Sequence, residues 1–467
     1  MKITYSGGAN INLAGIYPKD DVWATKTITV TGNNTTDAEM YYKLTLVVDS
    51  NTFKTDDPLQ YELVSTNTST NGEVIPAISK TDITGTSIEL GSGHFVKANN
   101  AKHTYLLKIY YPKKATSQNA NQGAAFNAHV EITSAKAPTV STLAETILAK
   151  NEVKAPITTP GAEISTESEA LLASTEDDNG TSYYFRGAVK NNYVQFANKC
   201  WRIVRVGGDG SVKLILHNDN IAGVANPCDA ANNSASAAFA RYSGTTYKSA
   251  FNTSVNDNAY VGFKYGTPGS STYAATHANT NKSTILTNLE TWYNNNLTAY
   301  ESVIDNSVWC NDKTNVTDTS YDPWRMTPNG LGYAKNVTYY GATQRLISTS
   351  GSAGGTGPSL KCNGELSKIN SKIGLITADE LAFAGYAAGL QNSTTYLQEN
   401  ATDTYWWSLS PDGFDGVGAY VWRVDGGNSN FVSSNVNIAV GVRPSISLKP
   451  STNVTGDGTS ENPYIVK

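Results

Sequence analysis

The sequence predicts a multidomain protein with an all-β domain at its N-terminal end and an α+β domain after it. Three observations predict this class. Short strand-like segments fill residues 1–136, a proline-containing segment interrupts them over 137–180, and two amphipathic helical patterns lie within 181–467. At 467 residues, the chain also exceeds the length at which a single hydrophobic core keeps growing.

The first domain, residues 1–136, contains six segments that alternate or are rich in β-branched and aromatic residues. They are "KTITVTG" (26–32), "YYKLTLVVDS" (41–50), "YELVST" (61–66), "TSIELGSG" (86–93), "HTYLLKIYYP" (103–112) and "AFNAHVEIT" (125–133). Turn-forming clusters such as "GNNTTDAE" separate them. Short strands with turn signals and no helical period predict an immunoglobulin-like β-sandwich.

Residues 137–180 predict an inter-domain connector. Three prolines break its pattern, a short helical piece lies near Leu143 to Lys150, and its end is acidic. We interpret Asp177 and Asp178 at that end as solvated linker residues.

The second domain, residues 181–467, is predicted to be α+β. Two apolar arms joined by "GGDG" predict a hairpin with its turn at Gly207–Gly210. "KSTILTNLETWYNNNL" places apolar residues at helical spacing, and Thr377 with Glu380 forms a capping box that opens a second helix.

The last part of the domain contains a framed segment, "YWWSLSP" (405–411) at one end and "GVRPSISL" (441–448) at the other. The residues between these frames are rich in Asn, Asp, Ser and Gly as well as aromatic residues, a composition unsuited to a core. We therefore predict an irregular, exposed recognition segment held at both ends by a scaffold.

Composition bears on possible partners and on location. The chain is 16% charged with a net charge of −5 and has no Lys/Arg run, so we predict no nucleic-acid partner. No apolar run is long enough to span a membrane. The polar, Tyr-rich composition is typical of extracellular proteins, and the N-terminal residues carry no signal peptide. We expect an extracellular or cell-surface protein whose export or anchor segment has been lost ahead of Met1.

Four cysteines, Cys200, Cys228, Cys310 and Cys362, match no metal or redox spacing. An even count in a chain of secreted character allows three disulfide connectivities. Of these we expect Cys200 with Cys228 and Cys310 with Cys362. The alternative is four buried free thiols.

An ordered series of motifs in the second domain resembles a known family. "CWRIVRVGGDGSVKLI", "ITADELAFAG", "YWWSLSP", "AYVWRV", "GVRPSISL" and "TGDGTSENPYIVK" resemble a domain of Firmicutes surface proteins. That domain belongs to the C-type-lectin-like fold shared with formylglycine-generating enzymes and with the variable proteins of diversity-generating retroelements. Residues 1–136 are similar, more loosely, to β-sandwich modules of Gram-positive surface and biofilm-matrix proteins.

The resemblance implies a ligand surface on the strands and loops that follow "WWSLSP". Carried onto matching positions, it implicates Trp406, Trp407, Asp412, Phe414, Asp415, Tyr420, Trp422, Arg423, Asn428, Asn430 and Phe431. We expect about half of the aromatic residues in this region to be core. Replacing Trp422 and Arg423 with Ala is expected to abolish binding and to leave the melting temperature nearly unchanged.

No catalytic centre, cofactor or metal site is predicted. The oxidase chemistry of the family requires cysteines near the ligand surface, and no cysteine follows Cys362. The five histidines are scattered, no "GxSxG" elbow is present, and the sugar-binding calcium signatures of C-type lectins are absent. The histidines are His94, His103, His129, His217 and His277.

The sequence therefore predicts a non-enzymatic, adhesin-like protein that binds a glycan or a protein. Two alternatives stay open: a structural fibre or matrix subunit, and an enzyme with an unrecognised site. Asn428, Asn430, Asn435 and Asn437 are compatible with a hypervariable segment of the retroelement type, although Asn-rich loops are common.

Overall fold

A computed structural model of the chain describes residues 2–65, 71–135, 141–164, 169–392 and 394–467. The chain divides into two compact units, Met1–Val140 and Ser141–Lys467.

The described part of the first unit is built from strands. In chain order they are β1 (Lys2–Ser6), β2 (Ile11–Ala14), β3 (Lys19–Asn34), β4 (Met40–Asn51), β5 (Gln60–Ser65), β6 (Ile78–Asp82), β7 (Ser87–Phe95), β8 (Ala98–Tyr111) and β9 (Ala125–Ser134). A 3₁₀ turn, Asn119–Asn121, precedes β9. The strands form a sheet of order β1-β3-β8-β5-β6 and a sheet of order β2-β9-β4-β7.

The two sheets share one hydrophobic core. Along β4 the residues alternate between buried and partly buried, so Leu44 and Leu46 point inward. They join Val30 of β3 and Leu107 of β8 in a single apolar cluster. Two antiparallel sheets that bury one face each against the other constitute a β-sandwich.

All six predicted segments coincide with strands of this unit to within one residue. Thr86 and Pro112 lie just outside β7 and β8, and Thr66, the last residue of "YELVST", lies outside the described residues. Three further strands, β1, β2 and β6, were not predicted. Residues of β1 and β6 are mostly partly buried or exposed, so their hydrophobic alternation is weak.

The second unit mixes strands with short helices. The described helices are α1 (Leu143–Lys150), α2 (Tyr273–Thr276), α3 (Thr284–Asn296), α4 (Gly341–Leu346) and α5 (Ala378–Ala384). Its strands are β10 (Ala170–Asp177), β11 (Gly180–Gly187), β12 (Tyr193–Phe196), β13 (Lys199–Val206), β14 (Val212–Asn218), β15 (Lys248–Ser249), β16 (Lys264–Tyr265), β17 (Asn281–Lys282), β18 (Ser307–Cys310), β19 (Thr338–Tyr339), β20 (Lys368–Ser371), β21 (Trp406–Phe414), β22 (Ala419–Val424), β23 (Phe431–Asn435), β24 (Val440–Gly441), β25 (Ser445–Leu448), β26 (Val454–Thr455) and β27 (Tyr464–Val466).

Two larger sheets carry this unit. One has the order β10-β11-β13-β12-β27-β26, with β14 between β13 and β25. The other has the order β15-β24-β21-β22-β23, with β19 paired to β21. One apolar cluster draws residues from both sheets and from α1, α3 and α5. The described elements of this unit are therefore mostly strands, with short helices packed on a common core.

The predicted local elements of this unit are confirmed. Helix α3 buries Ile285, Leu286, Leu289, Trp292 and Tyr293, which are the five apolar residues at helical spacing. Helix α5 starts with the predicted capping box. Strands β13 and β14 form the predicted hairpin.

The predicted connector over 137–180 is wrong for residues 141–164 and 169–180. Helix α1 is present as expected, but Leu143 and Ile147 are buried in the core of the second unit. Strand β10 pairs along its whole length with β11. The apolar residues of α1 and β10 are more stable when buried than when exposed to water, so this segment packs into the second unit. Residues 136–140 and 165–168 lie outside the described residues.

Both expected disulfides are present, Cys200–Cys228 and Cys310–Cys362, and no free cysteine remains among the described residues. Disulfides persist in oxidising compartments and are rare in the reducing cytoplasm. The two disulfides are therefore typical of a protein that folds outside the cytoplasm. None of the helices in the described ranges combines the length and apolarity needed for a membrane crossing.

Candidate functional site

The framed segment is ordered sheet, contrary to the predicted irregular exposed stretch. Strands β21 and β22 pair in antiparallel fashion, and so do β22 and β23. Every residue of β21 is buried, including its Ser, Asp and Gly residues. Small polar side chains fit inside because hydrogen bonds satisfy them: Ser410, for example, accepts the amide of Ala378 at 2.9 Å.

Five of the implicated aromatic residues belong to the core and cannot contact a ligand from solvent. They are Trp406, Trp407, Phe414, Trp422 and Phe431, each at most 2% exposed. Their large apolar area stabilises the fold most when it is buried. The ring of Trp422, for example, packs against Phe431 with 4.8 Å between centroids. The expectation that Trp422 can be removed at little cost to stability is therefore wrong.

Three other implicated residues, Arg423, Asn428 and Asn430, do not share a site with Asp412 and Asp415. Arg423 lies in register with Val432, one position along from the Trp422–Ser433 pair, and so points to the opposite face of the sheet. There its guanidinium stacks 3.5 Å from the ring centroid of Tyr405. Asn428 and Asn430 belong to the turn between β22 and β23, where the side chain of Asn428 accepts the amide of Asn430 at 3.1 Å.

The remaining three implicated residues, Asp412, Asp415 and Tyr420, line one open cleft of about 240 Å³. We call it the Asp412 cleft. Its complete lining is Trp324, Met326, Asp412, Gly413, Asp415, Tyr420 and Ser433. The sheet provides one wall, and the loop that precedes β19 provides the other.

A β-bulge places Asp412 in the cleft. Pro411 pairs with Val421 and Gly413 pairs with Tyr420, so β21 has one residue more than β22 at this point. The extra residue is Asp412. A bulge bends the strand locally and redirects a side chain that regular alternation would place elsewhere.

Hydroxyl groups hold the carboxyl group of Asp412. Thr343 Oγ1 donates to Asp412 Oδ1 at 2.6 Å, and Trp422 Nε1 donates to Thr343 Oγ1 at 3.2 Å. Asp412 is only 4% exposed, and this burial raises its pKa, although hydrogen bonds from Thr343 and Ser433 oppose the rise. Trp422 thus contributes to the cleft indirectly, by positioning the group that holds Asp412.

Asp415 fixes the turn that follows β21. Its Oδ1 accepts the amides of Val417 at 2.9 Å and Gly418 at 2.7 Å, and its Oδ2 accepts the Tyr420 hydroxyl at 3.0 Å. Burial raises the pKa of this carboxyl group, but these hydrogen bonds outweigh burial and lower the pKa overall. Asp415 is therefore ionised and holds the Tyr420 ring at the wall of the cleft.

Trp324 is the most exposed aromatic residue of the cleft, at 40%. Its ring packs edge-on to Tyr339 with 5.5 Å between centroids. The loop around it is held by Asp322, which accepts the amides of Met326 at 2.7 Å and Thr327 at 2.9 Å and the Tyr339 hydroxyl at 3.0 Å. Trp324 is therefore presented on a fixed loop.

Sequence reasoning missed Trp324, Met326, Gly413 and Ser433. Trp324 lies 88 positions before Asp412 in the chain, so no local pattern links the two residues. The one available signal is "YDPWRMTPN", in which a Trp sits in a proline-containing loop with no apolar period to bury it.

A separate group of titratable residues is buried near α5. Arg205 donates to Asp177 and to Glu380, at 2.9 Å in each case, and Lys213 lies 2.6 Å from Glu380. Asp177 is therefore a buried ion-pair partner, and the interpretation of this residue as solvated linker is wrong. Burial raises the pKa of Glu380, but Lys213 and Arg205 outweigh it and lower the pKa to about 2.

The same region contains a third, partly buried cation, Arg345. Arg345 donates to both carboxylate oxygens of Asp379, at 2.6 and 2.8 Å, and to Asp312 at 2.8 Å. Buried charges of opposite sign satisfy one another in both groups. A bidentate arginine pair is a rigid geometry, so this network connects α4 and α5 and contributes to the fold.

A second open cleft, of about 380 Å³, lies beside the turn between β22 and β23. Tyr193, Tyr396 and Glu399 are among its lining residues. The carboxylate of Glu399 already accepts Arg202 Nη1 and the Tyr193 hydroxyl, at 2.9 Å each. The charge of Glu399 is therefore already paired, and Lys190 also lines this cleft.

In the described residues, no group of three or more His, Cys, Asp and Glu side chains is placed to hold a metal ion. Comparisons of the chain with models of protein families, with curated proteins and with solved structures found no match.

Proposed function

We propose that this chain is an adhesin-like protein of the cell surface or extracellular space that binds a glycan or protein ligand in the Asp412 cleft. The observation that carries this proposal is the pairing of an exposed aromatic face with a buried acidic group across an open cavity. Trp324 is 40% exposed, and Asp412 lies beside it at 4%. Ligand sites combine apolar walls with a few fixed polar groups in this way.

The arrangement of the cleft supports recognition. Trp324 and Tyr420 offer rigid contact area at little cost in conformational entropy. Both are fixed in the free protein, because Asp322 holds the loop of Trp324 and Asp415 holds the hydroxyl of Tyr420. A preorganised site loses less free energy when it binds.

We further propose a C-type-lectin-like fold for the second unit and an immunoglobulin-like fold for the first. The sequence motifs support the former assignment, together with the position of the cleft on the strands that follow "WWSLSP". The two-sheet arrangement supports the latter. The two disulfides support an extracellular location.

Binding without catalysis is the interpretation we favour for the cleft. General acid and base catalysis needs a pair of groups free to exchange protons with a substrate. Asp415 is occupied by two backbone amides and by Tyr420, which leaves Asp412 as the acidic group available to a ligand.

The test is a screen of the protein on printed glycan and peptide arrays, with a Trp324→Ala variant beside it. We expect the wild type to bind a defined subset of spots and Trp324→Ala to lose them. Leu331→Ala is the matched control, because Leu331 is a comparably exposed apolar residue of the same loop that does not line the cleft. Equal binding by all three proteins would place the ligand site elsewhere.

A further inference from the structure

The carboxyl group of Asp412 differs from the other buried carboxylates of the described chain in what compensates its charge. Six of the others have a Lys or Arg partner: Glu169 with Arg186, Asp177 with Arg205, Asp219 with Lys199, Asp312 and Asp379 with Arg345, and Glu380 with Arg205 and Lys213. Asp257 accepts two backbone amides, from Ala259 at 2.9 Å and Gly269 at 2.8 Å.

Asp412 has hydroxyl donors alone, from Thr343 and Ser433, and no Lys, Arg or His of the described residues forms an ion pair with it. An unpaired charge in a buried position is costly. Asp412 is one of the lining residues of this open cleft, so a cation bound in the cleft lies near its carboxyl group.

The other lining residues of the cleft also favour a cation. Asp415 adds a second carboxylate, and the faces of Trp324 and Tyr420 carry the negative side of their ring quadrupoles. No Lys, Arg or His is part of the lining. Arg325 follows Trp324 in the chain but is exposed outside the cleft, and Arg423 lies on the opposite face of the sheet.

We propose that the Asp412 cleft binds a hexosamine that carries a free ammonium group, with the ammonium against Asp412 and the apolar face of the sugar ring against Trp324. This inference rests on the proposed function and narrows its ligand class. A flat, exposed indole suits the face of a pyranose ring. Ser433 donates its hydroxyl hydrogen to Asp412, so its oxygen remains to accept from a ring hydroxyl, and the edge of Tyr420 lines the same cleft.

A lysine side chain offers the same ammonium group without the ring. It would satisfy Asp412 but would leave most of the Trp324 face uncovered, because a single methylene chain is narrower than an indole. The open shape of the cleft therefore favours the amino sugar.

The experiment compares a short chitosan oligosaccharide with the same oligosaccharide after N-acetylation, by calorimetric titration of the intact chain. Acetylation removes the charge and leaves the ring in place. We expect the chitosan to bind tighter by about tenfold or more, the range of a charged hydrogen bond. A lysine-containing peptide is the third probe.

Three variants test the residues involved. Asp412→Asn retains an acceptor for Thr343 and removes the charge, so it should abolish the preference for chitosan. Asp209→Asn removes the same charge from the exposed hairpin turn and should retain the preference. Trp324→Ala should weaken binding of both oligosaccharides, and melting curves confirm that each variant is folded.

The outcomes separate this inference from the proposed function. Equal affinity for both oligosaccharides, with loss of both in Trp324→Ala, would overturn the requirement for a cation and support the cleft as a ligand site. Tighter binding of the lysine peptide would overturn the assignment to an amino sugar. Binding of none of the probes would also overturn that assignment, and the array screen would then test the proposed function by itself.

Discussion

Thr343 donates its hydroxyl to Asp412 at 2.6 Å, and this bond joins the core of the second unit to the floor of the cleft. The same oxygen accepts the indole N–H of Trp422, which is buried at 2% exposure. A core tryptophan, a helical threonine and a cleft aspartate thus form one chain of hydrogen bonds. Changes to the first two residues should affect both stability and the position of the third.

Trp422→Ala should lower the free energy of unfolding by about 3–5 kcal/mol, the usual cost of removing a large aromatic residue from a core. The cost arises because the ring packs on Phe431 and fills the interior between strand and helix. Chemical denaturation of the wild type and the variant measures it. An unchanged denaturation midpoint would mean that Trp422 is not a core residue.

Thr343→Val should destabilise the protein by about 1–3 kcal/mol, because buried groups lose a hydrogen-bond partner without a change in side-chain shape. Trp422 Nε1 loses its acceptor, and Asp412 loses a donor. Thr343→Ser is the matched control, since it retains the hydroxyl. If the Ser and Val variants unfold at the same denaturant concentration, the hydroxyl has no structural role.

Asp412→Asn should raise the melting temperature near neutral pH although it removes the preference for a cationic ligand. Burial raises the pKa of Asp412, so the fold disfavours the charged form, which is the form of this carboxyl group in the unfolded chain at neutral pH. The side-chain amide of the variant carries no charge, and its oxygen still accepts from Thr343. A lower melting temperature of the variant at neutral pH would contradict this account.

The same substitution has a predicted pH dependence. When folding raises the pKa of a carboxyl group, that group stabilises the folded state at pH values below its pKa in the unfolded chain. This stabilisation is lost as the pH rises through its pKa in the folded protein. The advantage of Asp412→Asn should therefore shrink as pH falls into the ordinary carboxyl range. The titratable neighbours Tyr321, Tyr339 and Tyr420 all have raised pKa values and stay neutral throughout, and Asp415 has a lowered pKa and stays charged over most of the range.

Glu380→Gln should cost about 3–5 kcal/mol at neutral pH, because it leaves Lys213 and Arg205 with less compensation in a buried site. The pKa of Glu380 is lowered to about 2, so its contribution is present above the ordinary carboxyl value and is lost as pH falls toward about 2. Stability of the two proteins, measured by denaturation across this pH range, should converge at its acidic end. A constant difference down to that end would refute the ion-pair assignment.

Local elements were predictable because their signals are local. The burial pattern of α3 follows from residues three and four apart, and the hairpin of β13 and β14 follows from a turn sequence between apolar arms. The connector was misjudged because prolines mark loops but do not say whether the residues between them pack. Leu143 and Ile147 pack against apolar residues that lie far along the chain.

The cleft itself was predicted in part. Asp412, Asp415 and Tyr420 follow from the motif resemblance, but the bulge at Asp412 depends on which residues of β21 and β22 pair. Regular alternation cannot show a bulge, since the extra residue changes the face of everything on one side of it. Trp324 reaches the cleft through tertiary packing against Tyr339. Pairing partners and long-range packing were therefore the missing information.

The central claim is that the Asp412 cleft is the ligand site, and the affinity of Trp324→Ala for the strongest array ligand tests it most directly. Loss of an aromatic contact at the centre of a site should weaken binding by at least about tenfold in calorimetric titration, with Leu331→Ala binding as the wild type does. An unchanged dissociation constant for Trp324→Ala, in a protein that still melts as the wild type does, would contradict the account.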